Sequence, residues 1–199
     1  MFIQTYAFFT CRKRDTVKKL DSAFYQRKDV LKIARELIGK ILVTRHDGVL
    51  TSGRIVETEA YEGVADRASH AYGGRRTPRT EIMYAPGGNA YVYLCYGIHH
   101  LFNVVTNRAN VPHVVLVRAL EPVEGIEVMR ERSGILKDNY ALTSGPGNLS
   151  RALGIRIEQS GTSLLSEHMF IAEDGYKVNK SAIVTTPRIG VDSAGEAAK

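Results

Sequence analysis

Val30, Ile33, Ala34, Leu37 and Ile38 recur at helical spacing, with Asp29 placed to cap the first turn and Gly39 to end the last. This stripe predicts a helix over 30–38. The apolar period then drops to two. Ile41–Thr44 and Thr51–Tyr61 read as strands joined through a His46-Asp47-Gly48 turn, which makes a hairpin. Glu62–Ala90 shows little periodicity and is rich in Gly, Pro and Arg; so long a loop in a compact domain is functional or disordered. Tyr91-Val92-Tyr93-Leu94-Cys95-Tyr96-Gly97 then reads as an aromatic strand that runs into a turn, and 101–106 and 114–119 as two more strands. A helix is expected over Val123–Arg132 after Pro122. Ser144-Gly145-Pro146-Gly147 opens a short helix through Leu153, and Phe170–Ala172 and Ala182–Thr186 read as late strands. With hairpins first, helices later and no βαβ rhythm, the chain is expected to form one α+β domain on an antiparallel sheet.

One strand breaks its own pattern. Ile55-Val56-Glu57-Thr58-Glu59-Ala60-Tyr61 alternates with period two, so Ile55, Glu57, Glu59 and Tyr61 are expected to share one face of the strand. A β-branched strand of this kind is at least half buried, and buried carboxylates must be paired or used. Two readings stand at this point: a catalytic acid or base beside an aromatic wall, or a structural ion pair on a strand face. The tyrosines leave a similar choice. Tyr61, Tyr91, Tyr93 and Tyr96 are four of ten tyrosines in a chain without tryptophan. Tyr91 and Tyr93 share a face and Tyr96 falls at the adjacent tip, which suits an unstacked base as well as it suits ordinary aromatic packing.

The 199 residues fit a single domain, and 44% hydrophobic content supplies a core. No apolar run approaches the roughly 20 residues needed to span a bilayer. The apolar start followed by basic residues inverts the order of a secretory signal, so the protein is expected to be cytoplasmic or nuclear, not secreted. Residues 1–20 are expected to be a poorly ordered basic arm and 21–199 the domain proper. Two cysteines are too few for a disulfide framework or a structural zinc site. His70, His99 and His100 lack the spacing of a metal motif, and no metal or cofactor is expected. No phosphate-loop or dinucleotide fingerprint occurs. Net charge is 27 − 21 = +6, which permits a polyanionic partner. Arg67, Arg75, Arg76 and Arg79 sit in the Gly/Pro loop, a placement open to phosphate contacts or to plain solvation.

Taken together, the blocks resemble the alkyladenine (3-methyladenine) DNA glycosylases. They are Arg54 to Tyr61, His70 eleven positions after Glu59, Gly73-Gly74-Arg75-Arg76-Thr77-Pro78-Arg79, Tyr91 to Gly97, and Arg118-Ala119-Leu120-Glu121-Pro122. Ser144-Gly145-Pro146 and Arg188-Ile189-Gly190-Val191 extend the likeness, which covers about residues 22 to 198. The resemblance implies a curved antiparallel sheet with a protruding β-hairpin. It implies an enzyme that turns a damaged purine out of double-stranded DNA and hydrolyses its N-glycosidic bond, initiating base excision repair. In that reading Glu59 is the general base and Arg118 helps hold the attacking water. Tyr61, His70 and Tyr93 contact the flipped base, Asn103 discriminates against guanine, and Tyr96 inserts into the duplex. Arg75 and Arg79 touch the DNA backbone, and Glu57 is assigned to a structural ion pair. No lysine belongs to the set, so a monofunctional glycosylase without lyase activity is expected, acting as a monomer away from membranes. The alternative is a module that binds distorted DNA without cutting a bond. The family usually continues into a further aromatic strand beyond the point where this sequence stops, so a weaker sheet edge is expected.

Overall fold

The computed structural model describes residues 2–5, 17–136 and 139–189. Its frame is an open antiparallel sheet of nine strands: β1 (Phe2–Thr5), β2 (Lys18–Lys19), β3 (Ile41–His46), β4 (Val49–Tyr61), β5 (Ala90–Cys95), β6 (His99–Thr106), β7 (His113–Glu124), β8 (Met169–Glu173) and β9 (Ile183–Thr186). The main path runs β2-β8-β3-β4-β7-β6-β5, and β1 pairs with both β4 and β9. β4 is the spine. One edge carries β7 along most of its length; the other carries β3 on its first half and β1 opposite Glu57–Glu59.

Among the described residues five helices accompany the sheet: α1 (Ser22–Tyr25), α2 (Val30–Leu37), α3 (Ile126–Ser133), α4 (Asn139–Thr143) and α5 (Pro146–Ala152). α2 forms as its stripe predicts. Asp29 accepts from the Lys32 N–H, and Val30, Ile33, Ala34 and Leu37 are buried. They pack with Ile55, Ala60, Val115, Val117 and Leu120 of β4 and β7 and with Leu149 and Ala152 of α5, forming the main core on one face. The Thr58 hydroxyl donates to the Ala34 carbonyl and ties α2 to β4. A second, smaller cluster (Met83, Tyr84, Tyr91, Val105, Val114) lies apart from it, and the 62–89 segment passes over it in short 3₁₀ turns.

The end of β7, the start of α3, the short helices α1 and α4, and the strands β1 and β2 within residues 1–20 depart from expectation. β7 continues to Glu124, and the helix starts only after Gly125, not at Val123. Pro122 is tolerated there because the register shifts between Ser52 and Gly53 opposite it. Gly125 turns the chain at φ 76°, where a Cβ would stand 2.5 Å from the Leu50 carbonyl oxygen. Residues 2–5, expected in a poorly ordered arm, form β1, with Ile3 fully buried. Their apolar, β-branched character lets them fill the edge left open beyond β3. Residues 6–16, like Gly190 and Val191, lie outside the described residues. Among the described residues, no helix is long and apolar enough to cross a membrane.

Candidate active site on the loop-covered face

The acidic strand reaches its geometry through two irregularities. β4 and β7 pair Ile55 with Leu120, Glu57 with Ala119 and Thr58 with Val117, so the register skips Val56 on one strand and Arg118 on the other. Each is a bulge, and a bulge re-aims side chains. Ile55 therefore joins Ala60 in the main core and does not share the face of Glu57, Glu59 and Tyr61, as a regular pleat requires. The same device turns Arg118 onto both acids: its Nη1 lies 3.2 Å from Glu59 Oε1 and its Nε 3.8 Å from Glu57 Oε2.

Glu59 is fully buried and its carboxylate is closely held. The Tyr61 hydroxyl donates to Oε2 at 2.7 Å, and the Ile189 N–H donates to Oε1 at 3.0 Å. With Arg118, three donors surround this one group, an arrangement that matches an acceptor-only carboxylate. Glu57 differs. Burial pushes its carboxyl up, opposed by Arg118 and reinforced by Glu59. Ile189 is kept in place by its neighbour. Arg188 forms a two-pronged pair with Asp66, with Nη2–Oδ1 at 2.9 Å, donates to the Ala60 carbonyl, and lies 4.7 Å from the centre of the Tyr61 ring. Burial works against ionisation at Asp66, yet the bonds from Arg188 and from the Ala68 and Glu62 amides hold it below the usual carboxylate range.

Beside this group lies a cavity of about 560 Å³, walled by Tyr61, His70, Tyr91, Tyr93, Asn103 and Arg75 among others. The His70 and Tyr93 rings meet edge-on, centroids 4.6 Å apart, and Tyr91 lies 5.5 Å from Tyr93. His70 Nδ1 and the Tyr91 hydroxyl share a 2.7 Å hydrogen bond. Burial first, then the guanidinium groups of Arg79 and Arg75, lower His70 to about 4, so its imidazole is neutral at pH 7. The Asn103 Nδ2 donates to the Tyr91 and Leu101 carbonyls, which fixes its amide on the wall.

The chain thus brings Tyr61, His70, Tyr93 and Asn103 to one cavity, with Glu59 of β4 bonded to the Tyr61 hydroxyl and paired with Arg118 of β7. Glu59 itself does not line the cavity. Tyr96 stands at the tip of the β5–β6 hairpin with φ 51° and 89% of its surface exposed. Of the loop arginines, Arg75 lines the cavity, whereas Arg79 lines a separate surface hollow. Arg76 pairs with Glu81 and stacks on Tyr84, a structural use. Tyr91, expected as an aromatic wall, also supports His70, and two contributors carry no mark in the sequence: Asp66 as the anchor of Arg188, and the Ile189 amide. The last two act through contacts across more than 120 positions, and local pattern carries no signal for those. Among the described residues no group of three or more His, Cys, Asp and Glu side chains gathers as metal ligands would.

The sequence model of Methylpurine-DNA glycosylase (MPG) matches residues 23–199, a span that contains every side chain just described. The chain belongs to this family. A protein of Clostridium acetobutylicum is 47% identical over 186 residues, which are 90% of this chain and 89% of that protein. Others from Bacillus cereus (48% over 183 residues, 88% and 89%) and Desulfitobacterium hafniense (45% over 190 residues, 91% of each) are similar throughout. All three carry the name "Putative 3-methyladenine DNA glycosylase".

Proposed function

We propose that this protein is a monofunctional glycosylase that hydrolyses the N-glycosidic bond of alkylated or deaminated purines in double-stranded DNA. The observation that carries the reading is the buried Glu59 carboxylate, met by Arg118, the Tyr61 hydroxyl and the Ile189 amide beside an aromatic cavity, with the exposed Tyr96 on the same sheet. The purine enters the cavity between Tyr61 and the His70–Tyr93 pair. Asn103 fixes which purine edge is accepted. Tyr96 fills the space left in the duplex and offsets part of the unstacking cost. Arg75 at the cavity and Arg79 in the separate hollow meet backbone phosphates.

Tyr61 stands between Glu59 and the cavity, so the sugar of the everted nucleotide, not its base, comes nearest to the carboxylate. Water held by Glu59 and Arg118 forms a bond to the anomeric carbon while the bond from that carbon to the base nitrogen breaks. The electron pair leaves with the base, and the water proton passes to Glu59. A purine made cationic by alkylation departs neutral, and the neutral His70 adds no charge to oppose it. Aromatic faces also favour a cationic base. Among the described residues no lysine lines the cavity, which supports water and not an amine as the nucleophile.

The test is release of free base from duplexes that contain hypoxanthine or methylated adenine. Glu59→Gln is expected to bind the same duplexes and to lose turnover by about 100-fold or more. Near-normal rates in that variant would move the base elsewhere, first to Glu57. Intact binding without any release by the wild type would leave the non-catalytic module as the function.

A further inference from the structure

A second cavity, of about 390 Å³, lies on the opposite side of the β5–β6 hairpin from the base-sized one and shares no lining residue with it. Alternation along β6 accounts for the separation: Asn103 faces the first cavity, and His100, three residues earlier, faces the second. Its wall carries Arg132, Arg151, Arg156, His46 and His100, against one carboxylate, Asp47. No ion pair engages Arg132, Arg151 or Arg156 among the described residues. Burial and then the nearby Arg156 charge lower Arg132, even with Asp47 and Glu131 opposing. Two guanidinium groups that repel one another at a concave surface are poorly explained by folding alone. His46 and His100 on the same wall each keep one ring nitrogen, Nε2 and Nδ1, without a hydrogen-bond partner among the described residues. The backbone is shaped to keep the space, since a Cβ on Gly154 (φ 70°) would stand 3.1 Å from Arg132 Nη1 and 3.2 Å from His46 Cδ2.

We infer that this cavity is a second anion site that holds a backbone phosphodiester of the duplex engaged by Tyr96. Ile98 forms part of its rim. It lies two residues from Tyr96, a reach of at most about 7 Å. That is close to two steps of the duplex at about 3.4 Å per base pair. A duplex opened by Tyr96 therefore presents backbone to both faces of the hairpin at once: the everted nucleotide on one side and a flanking phosphate on the other. Arg151 and Arg156, both exposed, supply the charge, and Arg132, fixed by bonds to Thr51 Oγ1 and the Ala152 carbonyl, supplies a rigid wall. This inference rests on the proposed DNA substrate, and the site serves affinity, not bond cleavage.

The experiment compares wild type, Arg151→Gln/Arg156→Gln and Arg151→Lys/Arg156→Lys, each checked for folding by circular dichroism. Dissociation constants for an undamaged duplex are measured across a salt series, together with single-turnover base release at saturating protein. The glutamine variant should bind the duplex about tenfold more weakly, and the slope of log affinity against log salt should fall by about one to two. Its release rate at saturation should match wild type, and the lysine variant should recover most of the binding. Wild-type base release combined with unchanged affinity and slope in the glutamine variant would overturn the second site alone. Absence of duplex binding by the wild type would overturn it together with the proposed function. Inorganic phosphate serves as a further probe. If the glutamine changes abolish phosphate binding yet leave duplex affinity untouched, the site takes free phosphate and the DNA assignment falls.

Discussion

Asp66→Ala removes a carboxylate far from any reacting atom, yet it should disturb both stability and the active site. The Asp66 and Arg188 side chains are 8% and 3% exposed, so the change leaves a guanidinium buried without the carboxylate that neutralises it, beside the Ala60 carbonyl and the Tyr61 ring. Breaking such a pair from one side costs about 3–5 kcal/mol. For a chain of this size that lowers the unfolding midpoint by about 10 °C. Arg188 also places the Ile189 amide on Glu59, so single-turnover base release should slow by about tenfold or more. Asp66→Ala/Arg188→Met should recover much of the midpoint, because no charge then remains buried, but not the rate. Calorimetry and a base-release time course check both halves. A midpoint within about 1 °C of wild type would show that the pair is of the weak, solvated kind. A normal rate would show that Glu59 keeps its position without the Arg188–Ile189 clasp. The sign with pH follows from the lowered carboxyl. The stability from this pair is present above the ordinary value of about 3.9 and is lost as pH falls through the lower folded value.

His70 should titrate near the value of about 4 to which burial and the two arginines bring it, as read from its imidazole NMR signals. Because an unfolded chain takes up this proton at about 6.5, stability should erode as pH falls from there toward 4. Arg79→Gln should raise the His70 value, and an unmoved titration would remove Arg79 from its surroundings. Tyr96→Ala should leave the unfolding midpoint unchanged, since 89% of the ring is already exposed. Base release below saturation should drop by about tenfold, in keeping with an unstacking cost of a few kcal/mol. Wild-type release by this variant would refute the insertion.

The local pattern was a good guide wherever neighbours in sequence are neighbours in space. α2 with its Asp29 cap, the β3–β4 hairpin through Asp47 and Gly48, and the aromatic strand with Tyr96 at its end are all matters of short-range geometry. The ordered blocks around Glu59, His70, Tyr93 and Arg118 likewise carry the family in the sequence alone.

The acidic strand shows where this reading stops. Two glutamates on an apolar strand announce that something must hold them, but the pattern cannot say what, because the holders come from other strands. The bulges at Val56 and Arg118 exist only once β4 and β7 are in register, and they decide that Ile55 turns to the core while Arg118 reaches both acids. The Ile189 amide and the Asp66 anchor arrive from across the fold. Residues 2–5 read as an arm until the open edge of β4 offered Ile3 a buried place. By itself the sequence determined which side chains are available and which local shapes they prefer. Tertiary structure decided which of them meet, since burial and long-range pairing act on distances that one-dimensional spacing does not contain.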